Sequence, residues 1–411
     1  MKIVAGVDRR FDRDGNQQRS SRLEELDSLR GLAAVVVFIY HCIFLSSVHS
    51  SWVNVLVRSP LGLFVYGGHQ AVILFFILSG FVLYLPYTRS GHRSRYLPFI
   101  VKRICRIYLP YLFALGLFVA AYLLFFRPLQ PEGLSMLYEW RVLSTRELLT
   151  VIRDCVVFVG IGHREYLNGA TWTLVEEMRI SFVFPLLAAL VLRVGSKRAV
   201  GCALGCSALV SVGIHIVHHR TPLETFHYAA IFVLGAVLSA NRTALVSAWE
   251  RMSRVGRVAL TLISICGCAY APYLMSRFPA IVTEELADWL IAVTASVFLI
   301  SALADTPFRS LLRHRVIQHL GRTSYGIYLL HLPIIFIGVN LLWSRLSHPA
   351  IFVLAFVATL LLAHLFYEGV ERPSMALGKR LARRLEGQGG AAATVSGPPT
   401  RNAVKTESVP V

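Results

Sequence analysis

Long apolar runs alternate with short polar, basic segments along most of the chain. Many of these runs reach about 20 residues, the length with which an α-helix crosses roughly 30 Å of hydrocarbon. Helices satisfy their own backbone hydrogen bonds, as a membrane requires. The pattern therefore predicts an all-α, polytopic integral membrane protein with about ten transmembrane helices. The predicted spans are 29–49, 69–88, 107–126, 174–194, 199–217, 225–240, 258–275, 288–304, 325–343 and 349–369.

Polar segments flank the predicted bundle, which divides the chain into a tail at 1–28, a membrane domain at 29–382 and a tail at 383–411. The first tail has no apolar core, so we expect the first span to act as an uncleaved signal. The last tail is rich in Gly, Ala, Pro, Ser and Thr from about Gly387, a composition typical of disorder. Leu148–Gly162 is apolar but too short to span, which predicts a re-entrant or interfacial segment.

The charge of the chain follows the predicted topology. Only 16% of the 411 residues are charged, yet the net charge is +18. With the N-terminus inside, inside segments carry 31 Lys and Arg, outside segments carry 9, and Arg179 lies within a span. This asymmetry predicts that both termini are cytoplasmic. The asymmetry also accounts for most of the basic charge, and membrane lipids are the predicted partners of these Lys and Arg residues. No basic soluble module remains to bind nucleic acid, so no nucleic-acid partner is predicted.

Two titratable residues in the first predicted span are candidates for chemistry, because charged groups are costly inside a membrane. His41 lies eleven positions after Arg30. At 100° per residue both side chains share one helix face, about 16 Å apart along the axis. Arg30 is then at the cytoplasmic end and His41 in the outer half of the bilayer. The alternative for His41 is a structural hydrogen bond to a neighbouring helix.

A second candidate group opens the fourth predicted span and comprises Asn168 and the residues from Trp172 to Arg179. Glu177 lies a few residues below the predicted outer surface, at a depth similar to that of His41. A carboxylate is a common partner for a histidine base, so Glu177 is predicted to orient or charge-stabilise the imidazole. The structural alternative is an ion pair within the helix, for example between Glu176 and Arg179.

Basic and aromatic residues near the predicted cytoplasmic side form further candidates. Lys102, Arg103 and Arg106 either anchor a helix at lipid headgroups or bind phosphate, for which the arginine fork is suited. The segment from Leu320 to Pro333 contains Tyr328 and His331, and His331 is predicted to lie near the cytoplasmic side. Tyr367, Glu368 and Glu371 close the last span. These late segments are equally consistent with ordinary helix ends.

Cysteine usage adds no candidate site. The seven cysteines form no metal-type CxxC pair, and most lie in or beside apolar runs. They are interpreted as small buried side chains rather than as a disulfide framework. Cys42 is a weak candidate nucleophile beside His41, because neighbours in a helix point about 100° apart. No metal and no bound cofactor are predicted.

The ordered set of these segments resembles the integral-membrane acyltransferase 3 family, from Leu26 to about Leu381. The matching segments include the candidates Ser79, Trp172, Tyr328, His331 and Glu371. In chain order they are Leu26–Ala34 ending at Tyr40-His41, Phe75–Phe81, the basic cluster with Pro110, Trp172–Leu174 through Glu177 to Pro185, Phe232–Gly235, Ser324–Tyr328 with His331–Pro333, and Glu371–Pro373.

The resemblance implies O-acyl transfer, with acetyl as the usual acyl group, by a multi-pass protein of the bacterial inner membrane. Its implied donor substrate is cytoplasmic acyl-CoA. Its implied acceptor is a carbohydrate or glycolipid, as in polysaccharide modification. The Arg-x10-His spacing of the family falls on Arg30 and His41, and its acidic position falls on Glu177.

The chain departs from the family pattern at two points. Ile73 stands where many members have Asp, and His69 nearby is a candidate to compensate. Many members also carry a fused extracytoplasmic esterase-like domain, for which we expect no room here. Either this chain completes the transfer alone or a separate extracytoplasmic partner protein does so.

One hypothesis joins these predictions. The phosphates of CoA bind Arg30, Arg103 and Arg106, and the pantetheine arm reaches towards His41. That histidine acts as a general base on an acceptor hydroxyl or takes the acyl group itself. The alternatives are a transporter or flippase of a glycan or small molecule, and a membrane acyltransferase of a class that uses a His–Asn pair.

Overall fold

The computed structural model describes residues 23–45, 67–88, 95–125, 144–157, 169–217, 223–279 and 281–395, together with Gly62. These residues are almost entirely helical and include no strand. The helices are α1 Glu24–Leu45, α2 Gly68–Tyr84, α3 Tyr96–Arg103, α4 Leu109–Phe125, α5 Thr145–Val157, α6 Trp172–Val194, α7 Ser196–Val217, α8 Leu223–Ala240, α9 Arg242–Arg251, α10 Arg254–Arg277, α11 Glu284–Leu303, α12 Pro307–Leu312, α13 Arg315–Leu342, α14 His348–Phe366 and α15 Arg372–Val395.

The helix lengths confirm the prediction of a polytopic all-α membrane protein. Nine helical segments of the described chain are long and apolar enough to cross a membrane. Each of the ten predicted spans corresponds to a helix. The one that is not among these nine is the fourth predicted span, which is α6. That helix has 23 residues but carries Glu176, Glu177 and Arg179, which lower its hydropathy. Charged side chains within a span are candidates for a functional site.

Several helices extend beyond the apolar runs that predicted them. α1 begins at Glu24 with three acidic residues in its first turn, which favour the positive N-terminal end of a helix. α3 begins at Tyr96 and continues through a π-helical turn at Ile104–Tyr108 into α4. α13 begins at Arg315, ten residues before the predicted span. Hydropathy detects only the apolar part of each helix, so polar end turns were missed.

The C-terminal helix α15 crosses the position at which the last tail was predicted to begin, and the division into domains stays a prediction. α15 continues through residue 383, where the tail was predicted to begin, to Val395. Ala382 is fully buried, and a Cβ added at Gly378 would lie 2.8 Å from the Cys105 side chain. α15 therefore packs against the π-helical turn up to the predicted start of the tail. The predicted tail beyond Val395 and most of the tail at 1–28 lie outside the described residues.

Two glycine contacts bring helices unusually close. A Cβ at Gly31 of α1 would lie 2.5 Å from the backbone nitrogen of Gly321 in α13. A Cβ at Gly80 of α2 would lie 2.1 Å from the carbonyl oxygen of Phe232 in α8. Small residues allow such backbone approach between membrane helices. These contacts explain two of the glycine-containing motifs and fix α1, α2, α8 and α13 around one centre.

Candidate active site

A cavity of about 310 Å³ opens among α1, α2, α3, α6 and α13, and we refer to it as the arginine cavity. Five cationic side chains line it, against three carboxylates. Such an excess of positive charge in a partly enclosed site favours an anionic ligand. The charged lining residues are Arg30, Lys102, Arg103, Arg106, Arg322, Asp27, Glu177 and Glu371.

Arg103 and Glu177 form the best-defined ion pair of the arginine cavity. Arg103 Nη2 donates to Glu177 Oε1 at 2.7 Å, and Arg103 Nε donates to Ser181 Oγ at 3.0 Å. Ser79 Oγ donates to the same carboxylate oxygen at 3.0 Å. The pair is largely enclosed, so its geometry is held by charge-assisted hydrogen bonds in a low dielectric. Glu177 therefore fixes the guanidinium of Arg103 at the cavity wall.

The remaining cations of the cavity differ in how firmly they are held. Arg30 Nη2 donates to the carbonyl oxygen of Leu78 at 3.3 Å, and its Nη1 lies 3.4 Å from Asp27 Oδ1. Lys102 forms an exposed pair with Glu386 at 3.4 Å. Arg106 and Arg322 make no salt bridge within the described part of the chain. These two guanidinium groups are therefore free to contact an anion entering the cavity.

A histidine pair lies one turn beyond the inner end of the cavity. His331 Nε2 is 3.2 Å from His41 Nδ1, and the ring centroids are 4.9 Å apart. His331 Nδ1 contacts the carbonyl oxygen of Tyr328 at 2.7 Å. His41 Nδ1 contacts the carbonyl oxygen of Val37 at 2.9 Å. The pair joins two histidines that the sequence placed at opposite depths.

These contacts assign the tautomers of the neutral pair. A carbonyl oxygen only accepts, so the nitrogen facing it must carry the proton. His331 Nδ1 therefore donates to Tyr328, which leaves His331 Nε2 as an acceptor. His41 Nδ1 carries a single proton, which it shares between the Val37 carbonyl oxygen at 2.9 Å and His331 Nε2 at 3.2 Å, and this leaves His41 Nε2 with a free lone pair. The arrangement presents Nε2 of His41 as the basic nitrogen, oriented by its hydrogen bonds as in other histidine bases.

The predicted contact between Glu177 and His41 is wrong. The sequence placed Trp172 at the membrane surface, but the indole packs on the ring of Phe76, in the middle of α2. α6 thus begins inside the bundle, and Ala170 before it is buried. Glu177, more than one turn further along, therefore reaches the level of Arg30 instead of His41. The predicted pair of Glu176 with Arg179 is present, at 2.8 Å.

The prediction that His331 lies near the cytoplasmic side and His41 in the outer half of the bilayer is also wrong, because the two side chains are in contact. His41 lies ten positions after Gly31 in α1, and His331 lies ten positions after Gly321 in α13. The two helices therefore run parallel from their glycine contact to the histidine pair. The early start of α13 at Arg315 places His331 about 24 Å along the helix axis. His331 is therefore as far from the Arg30 end of the bundle as His41 is.

Tyr328 separates the arginine cavity from the histidine pair. Its hydroxyl lies 2.7 Å from Thr173 Oγ1 and 2.8 Å from the carbonyl oxygen of Ala170. Tyr328, Thr173 and Phe75 line the cavity, whereas the two histidines do not. The aromatic ring of Tyr328 lies 5.9 Å from that of His331. A ligand arm must therefore pass this hydroxyl contact to reach His41.

The other predicted candidates have mixed positions. Ser79 and Glu371 line the arginine cavity, and Glu371 is buried in the π-helical turn Tyr367–Glu371. Trp172 packs between Phe76 and Tyr228 and does not line the cavity. Asn168 and residues 158–162 lie outside the described residues, while the rest of the predicted interfacial segment falls on α5.

A buried polar network at the His41 end of α2 was missed by the sequence reasoning. Asp288 accepts from His69 Nε2 and lies 3.2 Å from His227 Nε2. His227 Nδ1 lies 2.6 Å from Ser207 Oγ. The network links α2, α7, α8 and α11. Asp288 and His227 both lie within predicted or extended spans, so the rule that drew attention to His41 would have found them.

The network is relevant to position 73, where this chain has Ile73 and many members of the family have Asp. Ile73 is fully buried in the apolar core, so it has no polar role. His69, one turn earlier, was a candidate to compensate, and it contacts the carboxylate of Asp288 from another helix. No group of three or more His, Cys, Asp or Glu among the described residues is arranged to hold a metal ion; independence from metals and cofactors stays a prediction.

The chain is similar to known acyltransferases. A family model described as "Acyltransferase domain" matches residues 23–368. Over 398 residues the chain is 24% identical to YrhL of Bacillus subtilis (strain 168), provisionally named a peptidoglycan O-acetyltransferase, covering 86% of this chain and 55% of YrhL. Over 379 residues it is 24% identical to the O-acetyltransferase OatA of Staphylococcus aureus (strain NCTC 8325 / PS 47), covering 85% and 57%.

A third relative is the peptidoglycan O-acetyltransferase OatA of Listeria monocytogenes serovar 1/2a, 23% identical over 370 residues and covering 85% of this chain and 55% of that protein. The chain spans a little over half the length of these curated relatives. No solved structure matches the chain significantly.

Proposed function

This chain belongs to the membrane acyltransferase family whose domain it contains, and we propose that it transfers an acetyl group from acetyl-CoA to a hydroxyl of a carbohydrate acceptor. The observation that best supports this proposal is the position of the arginine cavity. The cavity ends one turn short of a histidine pair that has a free basic nitrogen. The relatives are named for O-acetyl transfer, two of them to peptidoglycan. A glycan or glycolipid hydroxyl is therefore the proposed acceptor.

The arginine cavity supports the donor part of the proposal. A CoA molecule carries several phosphate oxygens, which arginine binds through paired N–H donors. Arg106 and Arg322 have no competing salt bridge within the described residues, and Arg30 and Arg103 are held at the wall. The phosphates would bind these groups while the pantetheine arm extends past Tyr328 towards His41, about 16 Å from Arg30 along α1.

The proposed chemistry is one transfer at the Nε2 atom of His41. This nitrogen removes the proton from the acceptor hydroxyl, and the oxygen attacks the thioester carbonyl. The carbon–sulfur bond breaks, the new ester bond forms, and the leaving CoA thiolate takes the proton back from His41. In the alternative, Nε2 attacks the thioester carbonyl first, and the carbon–sulfur bond breaks to give acetyl-His41 and the CoA thiolate. The acceptor hydroxyl then attacks the acetyl group, the carbon–nitrogen bond breaks, and the hydroxyl proton passes to the thiolate. In both routes His331 accepts from Nδ1 and keeps the imidazole oriented.

The charge asymmetry supports an orientation for this reaction. We place the Arg30 end of the bundle in the cytoplasm of a bacterial inner membrane, where acyl-CoA is found, in accord with the excess of Lys and Arg on that side. His41 then lies towards the outer face. An acceptor outside the cell would meet the acetyl group there, directly or through a separate extracytoplasmic partner protein.

The test uses the purified full chain in lipid nanodiscs with isotopically labelled acetyl-CoA and a panel of glycan acceptors. Mass spectrometry should find a labelled acetyl ester on an acceptor, and one free CoA thiol should appear per ester. A chain that binds acetyl-CoA yet yields neither ester nor thiol with any acceptor would contradict the proposal. Movement of an unmodified glycan across proteoliposomes would favour the transporter alternative.

A further inference from the structure

A second cavity, of about 870 Å³, lies among α1, α2, α10 and α11 and shares no lining residue with the arginine cavity. Its volume is within the range of small-molecule binding sites. We refer to it as the lateral groove. Apolar side chains form most of its wall, and polar residues gather at one end. The apolar lining includes Leu29, Leu32, Val36, Leu74, Leu262 and Phe298.

The lateral groove exists because α10 packs closely along only part of its length. Towards the C-terminal end, Ala271 is fully buried, and Gln70 Nε2 of α2 donates to the carbonyl oxygen of Cys268 at 3.2 Å. Towards the N-terminal end, Val258 and Leu262 line the groove and are about half exposed. This half of α10 therefore stands apart from α1 and α2 and leaves a slot between them.

An apolar slot in a membrane protein is filled by hydrocarbon. Apolar walls give water no hydrogen-bond partners, so an apolar cavity does not hold ordered water. An acyl chain can be buried there without taking any polar group out of water. The walls of the lateral groove therefore fit the chain of a lipid, and the polar end determines which headgroup is bound.

Three donors without partners lie at that polar end. Arg254 and Arg257 line it and form no salt bridge within the described chain. Trp249 also lines it, is 5% exposed, and its Nε1 has no hydrogen-bond partner among the described residues. A buried N–H without an acceptor is costly, so this indole indicates an oxygen ligand. Asp305 is the one acidic lining residue, which leaves one net positive charge.

We propose that the lateral groove binds an anionic glycerophospholipid, with its acyl chains along the apolar wall and its phosphate on Arg254 and Arg257. Trp249 Nε1 donates to an ester or phosphate oxygen of the same lipid. One negative charge neutralises the net positive end, whereas a zwitterionic lipid leaves it uncompensated. Basic pockets between membrane helices are known to bind lipid headgroups in this manner. The site does not depend on the proposed acetyl transfer.

The test is native mass spectrometry of the full chain, titrated with phosphatidylglycerol or with phosphatidylcholine of the same acyl chains. The wild-type chain should bind one phosphatidylglycerol about tenfold or more tightly than phosphatidylcholine. Arg254→Gln with Arg257→Gln should abolish the difference. Arg242→Gln with Arg251→Gln removes the same charge from exposed positions of α9 and should preserve it. Trp249→Phe should weaken phosphatidylglycerol binding several-fold.

A second variant keeps the proposal testable if the arginine variant does not fold. Thr261 lines the lateral groove, and Thr261→Trp should fill the slot and displace the lipid while leaving both arginines in place. The proposal is overturned if the wild-type chain binds the two lipids equally. It is also overturned if either the folded arginine variant or Thr261→Trp retains phosphatidylglycerol as the wild type does.

Discussion

His331 Nε2 accepts a hydrogen bond from Nδ1 of His41 at 3.2 Å, across the contact of two parallel helices. The familiar orienting group for a histidine base is a carboxylate. Here a second, neutral imidazole has that position, inside a membrane protein where an additional charge would be expensive. In the proposed mechanism this relationship gives His331 the role of a positioning residue for His41.

The first prediction concerns that positioning role. His331→Ala should lower kcat for acetyl transfer by about 10²-fold or more, the range expected for disturbing a general base, because His41 loses an acceptor for Nδ1–H. The KM for acetyl-CoA should change little, since the phosphates bind elsewhere. His364→Ala is the matched control, because His364 is an exposed histidine of α14 whose ring lies against that of His319, away from His41. A steady-state assay with both substrates separates the two parameters.

The second prediction concerns Glu177. Glu177→Gln should raise the KM for acetyl-CoA about tenfold with a smaller effect on kcat, because the uncharged amide holds Arg103 less firmly at the cavity wall. Glu176→Gln, which alters the neighbouring pair with Arg179, is the control. A 100-fold fall in kcat with an unchanged KM would instead support a direct role of Glu177 at His41.

The different outcomes of the predictions for Arg30 and Glu177 show what the sequence could and could not predict. The Arg30–His41 spacing lies within one helix, so helix geometry fixes it. Glu177 and His331 are placed by the depth at which their own helices begin, and this depends on α6 starting inside the bundle and α13 starting ten residues early. Hydropathy locates the centre of a span well and its polar ends poorly, which is why both depth assignments failed.

The apolar pattern was sufficient for the fold because the membrane imposes it. Every predicted span corresponds to a helix, since each spanning segment must satisfy its backbone hydrogen bonds internally. The pattern could not show which helices touch. Those contacts depend on small residues, such as Gly31 against Gly321, and on buried polar pairs such as His69 with Asp288.

The third prediction concerns the α1–α13 contact. A Cβ at Gly321 would lie 2.5 Å from the carbonyl group of Asp27, so Gly321→Ala must push the two helices apart. We expect a loss of about 1–3 kcal/mol in the free energy of unfolding, and a fall in activity as His331 moves away from His41. Gly201→Ala is the control, because no atom lies within 4 Å of its added Cβ. Thermal unfolding in detergent should distinguish the two variants.

The fourth prediction concerns the buried network around Asp288. Asp288→Ala should destabilise the fold by about 3 kcal/mol or more, since it leaves the buried His227 and the partly buried His69 without their common acceptor. Ser207→Ala should cost about 1 kcal/mol, the effect of one lost hydrogen bond. Glu368→Ala removes a pair with Arg372 that is exposed, and its effect should be under about 1 kcal/mol. Equal unfolding temperatures for the three variants would contradict the structural role of Asp288.

The central claim is that His41 performs the transfer while the arginine cavity binds the donor. The most direct measurement compares wild-type and His41→Ala chains in nanodiscs, with labelled acetyl-CoA binding and labelled ester formation measured on the same preparation. We predict that His41→Ala binds acetyl-CoA with unchanged affinity and forms no ester above background. A folded His41→Ala chain that forms ester at the wild-type rate would contradict the account.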